Sequence, residues 1–381
     1  MTKTGVVEQL EDIAQSIDGA PKKLARAGDI VINSRSDRKG SSGLSPRDGS
    51  VSVINTVMAP HAIVPRYAHH LIRSHGFQEE FYRFGSGIVA DLWSTRWSAT
   101  KAITMPVPPI EEQHHIADYL DHETAEIDAF ITGLERFRGL VVERGRAQRE
   151  RAISGTGVEA IPLRRFAPVR TTGTSVNASP WPAGPEEYGV LKTGAVSKGY
   201  FDPSENKAVV DREEVKRLTS PVLGDKVLIN RANTPSLVGT AVYVSEPIPC
   251  LFLSDKLWSI DFDASNEYMA EAMSTRFYRD QVTLSSVGAS SSMHNLSYED
   301  FLSVRIPVPG HDRQAQIAAE LRQERHAERN TLEAIGQATH LAQERRAALI
   351  SAAVTGQIDV TGRRRGPSEA ERLEDELTDA Q

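Results

Sequence analysis

The feature that most constrains this chain is a duplication. Residues 106–157 open on Pro106, Pro108 and Pro109, run through a long charged, helix-favouring stretch and stop at Gly155 and Gly157. Residues 307–356 do the same, from PVPGHDRQAQIAAEL to SAAVTG. An offset of 201 residues lays Pro106 on Pro307, Gln113 on Gln314, Ile116 on Ile317, Ala117 on Ala318, Leu120 on Leu321, Glu143 on Glu344 and Gly155 on Gly356 without a gap. Two copies of one structural unit are therefore expected, and function should be sought in that duplication.

The prolines lack amide donors and bias the residues before them toward extended backbone, so each helix should begin just after them. Glu111 and Glu112 then fall in the first turn, where acids suit the positive end of the helix dipole. From Ile116 the positions Leu120, Ile127, Phe130, Leu134, Phe137 and Val141 follow a heptad seam that Glu123 interrupts once. In the second copy Ile317, Leu321, Ile335, Ala338, Ala342 and Leu349 keep that phase, with Glu324, Glu328 and Thr331 as breaks. Helices of about 44 residues at ~1.5 Å per residue run to roughly 65 Å. Length, phase and matching sequence predict that they pair with each other, and an antiparallel coiled coil would then place the globular parts of the two repeats at opposite ends.

The parts before each helix read as mixed strand and helix. AGDIVINS (27–34) alternates apolar and polar residues, and Val51 to Val57 is rich in β-branched residues. Between them lies a loop with Arg35, Arg38, Lys39 and Arg47. Tyr67 to Phe84 has helical spacing, with Leu71, Phe77, Phe81 and Phe84 on one face. In the second copy LGDKVLINR (223–231) matches AGDIVINSR (27–35), with Gly224 against Gly28 at an offset of 196, and Asn266 to Val282 matches the helical stretch. LKTGAVSKGYFDP (191–203) reads as a strand with turns. Gly28, Gly87, Gly224 and Gly288 read as turn formers. The change of offset from 196 to 201 places a five-residue length difference in the loops. The first copy also starts late: 27 residues precede Gly28, against 66 between the start of the second copy and Gly224, so a shortened first unit is expected.

Composition narrows the class. The chain has 381 residues, 39% of them hydrophobic, a formal charge of −7 and one cysteine, Cys250. No stretch approaches the ~18 apolar residues of a membrane span, and a single cysteine excludes an intrachain disulfide, so a reducing cytoplasm is expected. The net charge by itself argues against nucleic acid, but residues 20–50 hold seven bases and three acids. A net-acidic chain can still carry a basic face.

Catalytic signatures are missing. There is no GxxxxGK[ST] phosphate loop and no [DNS]PPY motif of the amino-methyltransferase kind. His114, His115 and His122 lack an HExxH frame and read as solvated histidines. Asp202, Glu205 and Lys207 faintly resemble a nuclease triplet but read as a turn. No catalytic residue, no cofactor and no metal are expected.

PVPPIEEQHHIADYLD with its downstream ERAISGTG, and PVPGHDRQAQIAAEL with SAAVTGQID, resemble one family: the specificity subunit of type I restriction–modification systems. GDIVINS, GDKVLINR and SSVGASSSMHNLSYEDFLSVRIPVP add to the likeness, which extends from Lys22 to about Gly362. It implies an α+β chain with an internal pseudo-twofold repeat, its two globular mixed α/β target-recognition domains separated by the two long helices. The domains would be 1–105 (N-terminally truncated), a helical spacer 106–157, a second recognition domain 158–305, a second spacer 306–361 and a charged, disordered tail 362–381. The implied partners are double-stranded DNA with a bipartite target, two methyltransferase subunits docked on the helices, and motor-nuclease subunits. The chain departs from the family pattern in its short first domain and in Gly310-His311-Asp312-Arg313, where a proline and glutamates stand in the first copy. The short first domain leaves open a second reading, a non-recognising coiled-coil competitor that binds the methyltransferase.

On the family reading, bases are read by side chains such as Arg, Asn and Gln, and phosphates by Lys and Arg. The candidates are Arg35, Arg38 and Lys39 in the first domain. In the second they are Lys192, Lys198, Arg231, Asn233, Thr234, Ser291, His294 and Asn295.

Overall fold

Both long helices begin directly behind their prolines, at Ile110–Ser154 (45 residues) and His311–Val354 (44 residues). The first helical bonds run from Gln113 N–H to the Pro109 carbonyl and from Gln314 N–H to that of Gly310, each at 3.0 Å. The structure is a computed structural model and describes residues 21–88, 93–290 and 293–360, together with Val6. The tail 362–381, Ser291 and nearly all of the leader 1–20 lie outside the described residues. The chain divides into two units, residues 1–136 with 335–381, and residues 137–334. Each takes one globular part and a portion of both long helices.

In the first unit a three-stranded antiparallel sheet has Ile30–Asn33 at its centre, flanked by Ser42–Leu44 and Asn55–Met58, with Val31 opposite both Gly43 and Val57. A separate ribbon pairs Lys22–Ala25 with Gly49–Ser52. The loop expected around Arg35–Arg47 thus contains a strand, Ser42–Leu44, because the central strand needs a partner on that edge. Ile30, Ile32, Ala68, Phe77 and Phe81 form the core under the sheet. A second cluster joins the helix Pro65–Leu71 to both long helices through Tyr67, Leu71, Ile116, Leu120, Ile350 and Val354. Here Arg346 pairs with Asp128 at 2.9 Å, so the beginning of the first long helix lies against the end of the second.

In the second unit one four-stranded antiparallel sheet runs Ala241–Val244, Lys226–Asn230, Leu257–Asp261, Val169–Thr172. Another runs Pro221–Val222, Ile248–Phe252, Gly189–Leu191, Asn206–Ala208 and contains a parallel pair. The stretch 191–203, expected as a strand, is mostly not one: after Leu191 the chain makes a helical turn, Gly194–Ser197, closed by the Ser197 hydroxyl donating to the Thr193 carbonyl at 2.8 Å. Ile153, Trp258, Tyr268, Phe301, Ile317 and Leu321 fill the core. The end of the first long helix meets the beginning of the second, with Arg149 donating to Glu328 at 2.8 Å.

Three further sequence expectations need correction. The single helix expected over 67–84 is two, Pro65–Leu71 and His75–Arg83. The Ser74 hydroxyl donates to the Leu71 carbonyl at 2.7 Å and accepts from Phe77 N–H at 3.4 Å, ending one helix and capping the next. Thr275 does the same between Asn266–Ala272 and Arg276–Ser285. Second, the GD strands align one residue differently. Gly28 (φ +88°) and Asp225 (φ +51°) occupy the same left-handed turn position, which makes Asn33 the counterpart of Asn230 and Ser34 that of Arg231. Third, beyond Ile116 the heptad seam of the first helix is covered on one row only. Ile127 is buried and Leu134 and Val141 are half-buried, but Phe130 and Phe137 stand 55% and 50% exposed. An α-helix drifts about 20° per heptad, so a second row stays covered only where a partner follows it around. In the second helix Ile317, Leu321, Ile335 and Ala342 are buried, and Ala338 and Leu349 half-buried.

Candidate nucleic-acid interface

Two segments of the second unit, some sixty residues apart, meet in a small sheet. Ala232–Asn233 pairs with Met293–Asn295, which pairs in turn with Val287–Ser290. Asn295 lies opposite Ala232 and His294 opposite Asn233, so Arg231, Asn233, Thr234, His294 and Asn295 come together. The sheet is anchored by Leu296 N–H donating to the Arg231 carbonyl at 2.8 Å and Arg231 N–H donating to that of Lys256 at 3.0 Å. Arg231 Nη1 reaches the Asp255 carbonyl at 3.5 Å, while its Nε is buried with no hydrogen-bond partner among the described residues. Such a donor retains capacity for an incoming acceptor.

The other members are partly committed. Asn233 Oδ1 accepts from Thr234 N–H at 2.8 Å, which removes its carbonyl from bidentate contact with a base edge. The Thr234 and Ser236 hydroxyls bond at 3.2 Å. His294 Nδ1 lies 3.2 Å from the Ser286 hydroxyl, leaving Nε2 to face outward chemistry. The two lysines each meet a carboxylate. Lys192 pairs with Glu205 at 2.8 Å and Lys198 with Asp202 at 2.9 Å. Asp202 is held below its ordinary range by the Ser204 hydroxyl and by Lys198. Asn230 Nδ2 ties this turn to the central strand through the Thr193 carbonyl at 3.3 Å.

In the first unit the corresponding pairing survives as isolated bridges, Arg35 with Ser94 and Ser86 with Ser94. Arg35 and Arg38 both face Asp37, at 3.3 and 3.7 Å, and Lys39 pairs with Glu79. All three candidates therefore share their charge with a carboxylate.

The sequence reading missed two basic surfaces. In the second unit a cleft of about 1430 Å³ lies between the globular part and the helices. Eight bases line it (Arg138, Arg146, Arg149, Lys198, Arg279, Arg322, Arg325, Arg329) against five acids, Asp202, Glu267, Glu271, Glu328 and Glu333. Arg138 and Arg146 are exposed and make no ion pair among the described residues. Arg279, lowered by burial, holds the carbonyls of Ser236 and Val238 and so braces the loop after Thr234. In the first unit a cavity of about 400 Å³ is lined by Lys23, Ser34, Thr56, Arg96 and Trp97, with Lys101 over the Trp97 ring at 5.6 Å. These arginines are scattered over distant stretches of sequence, so no local run announced them.

The two units differ beside that cavity. In the second, Val169–Thr172 covers Leu257–Asp261, and Arg170 lies 4.2 Å over the Tyr298 ring. In the first, Asn55–Met58 is an edge strand among the described residues, and Trp97, at the position of Tyr298, is 50% exposed. Among the described residues no group of three His, Cys, Asp or Glu is placed to hold a metal, and no helix is long and apolar enough to cross a membrane.

No family model and no curated protein matches this sequence. Solved structures do. A chain from a study of complex assembly and conformational transition of a type I R-M system superimposes with a TM-score of 0.60 at 15% identity, over 89% of this chain and 85% of its own length. The HsdS subunit from Thermoanaerobacter tengcongensis aligns over 94% of this chain and 88% of its own, at 16% identity and a TM-score of 0.44. The type I restriction-modification S subunit from M. genitalium aligns over 87% and 84%, at 13% identity and a TM-score of 0.41. At 15% identity the first of these establishes a shared fold.

Proposed function

We propose that this chain is the DNA-sequence specificity subunit of a type I restriction–modification complex. It is a non-catalytic component that reads a bipartite double-stranded target and docks methyltransferase subunits on its long helices. The observation that carries this reading is the pair of equivalent joints between a globular part and a long helix, in a fold shared over 89% of the chain with a type I R-M component. Tyr67 donates to the Pro106 carbonyl at 2.9 Å and Tyr268 to that of Pro307 at 2.7 Å.

On this reading the recognition domains are 1–105 and 158–305, and the spacers 106–157 and 306–361. The long helices form an antiparallel coiled coil within an internal pseudo-twofold repeat. Base reading falls to Arg231, Thr234, Ser291, His294 and Asn295, with Asn233 shaping the loop. Arg35, Arg38 and Lys39 contact DNA in the first domain, and Lys192 and Lys198 do so beside the reading sheet of the second. Exposed Phe130 in one unit, and Phe137 and Leu140 in the other, offer apolar surface of the kind that subunit interfaces bury. Two methyltransferase subunits dock there, and motor-nuclease subunits complete the cytoplasmic complex.

Methylation-aware sequencing of host DNA with and without this gene tests the proposal. A bipartite methylated motif that disappears on deletion is expected. Unchanged methylation, together with sequence-indifferent DNA binding by the chain in complex with the methyltransferase, would sink it.

A further inference from the structure

The two helix–domain joints share a neutral frame and carry opposite charges. At an offset of 201, Tyr67 and Tyr268 hold the same proline carbonyl, and Gln113 and Gln314 make the same bonds. Around that frame the first joint puts Arg66 and His70 on the domain and carboxylates on the helix. Arg66 donates to Asp121 at 2.6 Å and to Asp118 at 2.7 Å, and buried His70 lies 2.7 Å from Asp121. In the second joint Arg66 is replaced by Glu267, His70 by Glu271 and Asp121 by Arg322. Arg322 donates to Glu267 at 2.6 Å, and Arg325, at the position of Thr124, donates to Glu271 at 2.7 Å. Glu271 is 6% exposed.

A duplicated chain has a recognition problem of its own. The tyrosine and glutamine bonds are indifferent to which helix supplies them, so by themselves they would let either domain accept either helix, including the helix of a second copy. Charge removes the choice between the first and the second helix. A first domain on the second helix would set Arg66 against Arg322. A second domain on the first helix would set Glu267 against Asp121 and Asp118, and would leave buried Glu271 opposite Thr124 without a cation. Unpaired buried charge and like-charge contact are the strongest discriminators that a surface of fixed shape can carry.

We infer that the exchanged ion pairs Arg66–Asp121 and Glu267–Arg322 make the two joints mutually exclusive, so that each domain seats only on the helix of its own repeat and crossed seating, within the chain or on a second copy, is excluded. This holds independently of what DNA the chain reads.

The test uses the full chain. Arg66→Glu with Glu267→Arg makes both native joints like-charged and makes the first domain complementary to the second helix, where position 66 then meets Arg322. Co-purification of tagged and untagged copies expressed together is expected to rise severalfold. Adding Asp121→Arg and Arg322→Glu gives each native joint an opposite-charge pair again, beside the retained Asp118, and should return co-purification toward the parent value and recover part of the lost thermal midpoint. If the two-substitution variant is too unstable to assemble, rescue of the thermal midpoint by the four-substitution variant supports the inference. A two-substitution variant that behaves as the parent, or a four-substitution variant no better than the two, overturns it.

Discussion

Gln113 and Gln314 make the same two hydrogen bonds in the two units. Gln113 accepts from Val64 N–H and donates to the Pro108 carbonyl, both at 2.7 Å. Gln314 accepts from Ser265 N–H at 2.8 Å and donates to the Pro309 carbonyl at 2.7 Å. Each side chain joins the first turn of a globular helix to the proline lead-in of a long helix, and each is almost wholly buried. Gln113→Leu and Gln314→Leu should each strand a buried N–H and a carbonyl, at about 1–3 kcal/mol per unsatisfied group. Lower denaturant midpoints for both variants are expected, and an unchanged midpoint in either would show that water replaces the side chain.

His69 makes the first unit acid-sensitive. Its Nδ1 accepts Leu44 N–H at 3.1 Å, which requires the neutral ring, and burial, with His70 and Arg73 adding repulsion, lowers its pKa to about 3. The unfolded chain binds this proton near 6.5, before the folded chain does. Its contribution is therefore complete above pH 6.5 and declines as pH falls toward 3, by at most ~1.4 kcal/mol per pH unit. His69→Asn keeps an acceptor and removes the titration. Its thermal midpoint should vary less than the parent's between pH 6.5 and 4.

Glycines in the long helices separate two effects. Gly133 and Gly139 face open space, so Ala there should stabilise by about 1 kcal/mol through helix propensity. A Cβ at Gly145 would stand 2.5 Å from the Glu328 carboxylate, which is engaged with Arg149. Gly145→Ala should gain the same propensity and lose that ion pair, for little net change in chemical denaturation. Stabilisation equal to that of Gly139→Ala would show that Glu328 moves aside freely.

The arginine cleft predicts a salt signature. If Arg138 and Arg146 meet phosphates, their joint replacement by Ala should weaken binding of all sequences alike in the assembled complex. The slope of log affinity against log salt should fall by up to ~2, at ~0.9 per phosphate contact. Asn295→Ala or Arg231→Ala should instead relax one base position, worth ~1–3 kcal/mol. An unchanged salt slope with loss of methyltransferase binding would assign the cleft to the protein partner.

Much of the architecture was legible because its causes are local. Prolines 106, 108 and 109 and their echoes place the helix starts within a residue or so. Ser74 and Thr275 carried a readable cap signal inside what looked like one helix. Phe130 and Phe137 fit the heptad and are nevertheless exposed, since periodicity says which residues share a face and not whether a partner covers it. The same limit applied to Lys192, Lys198 and Lys39: their type suggested phosphate contacts, and only the fold revealed the carboxylates beside them.

The duplicated sequence by itself determined that there are two like units and two long helices, because these depend on residues whose chemistry acts over a few positions of chain. Tertiary structure decided which charges meet. Arg66 and Asp121, Glu267 and Arg322, and Arg149 and Glu328 are far apart in sequence, and ion pairing depends on distance in space, which chain order does not encode.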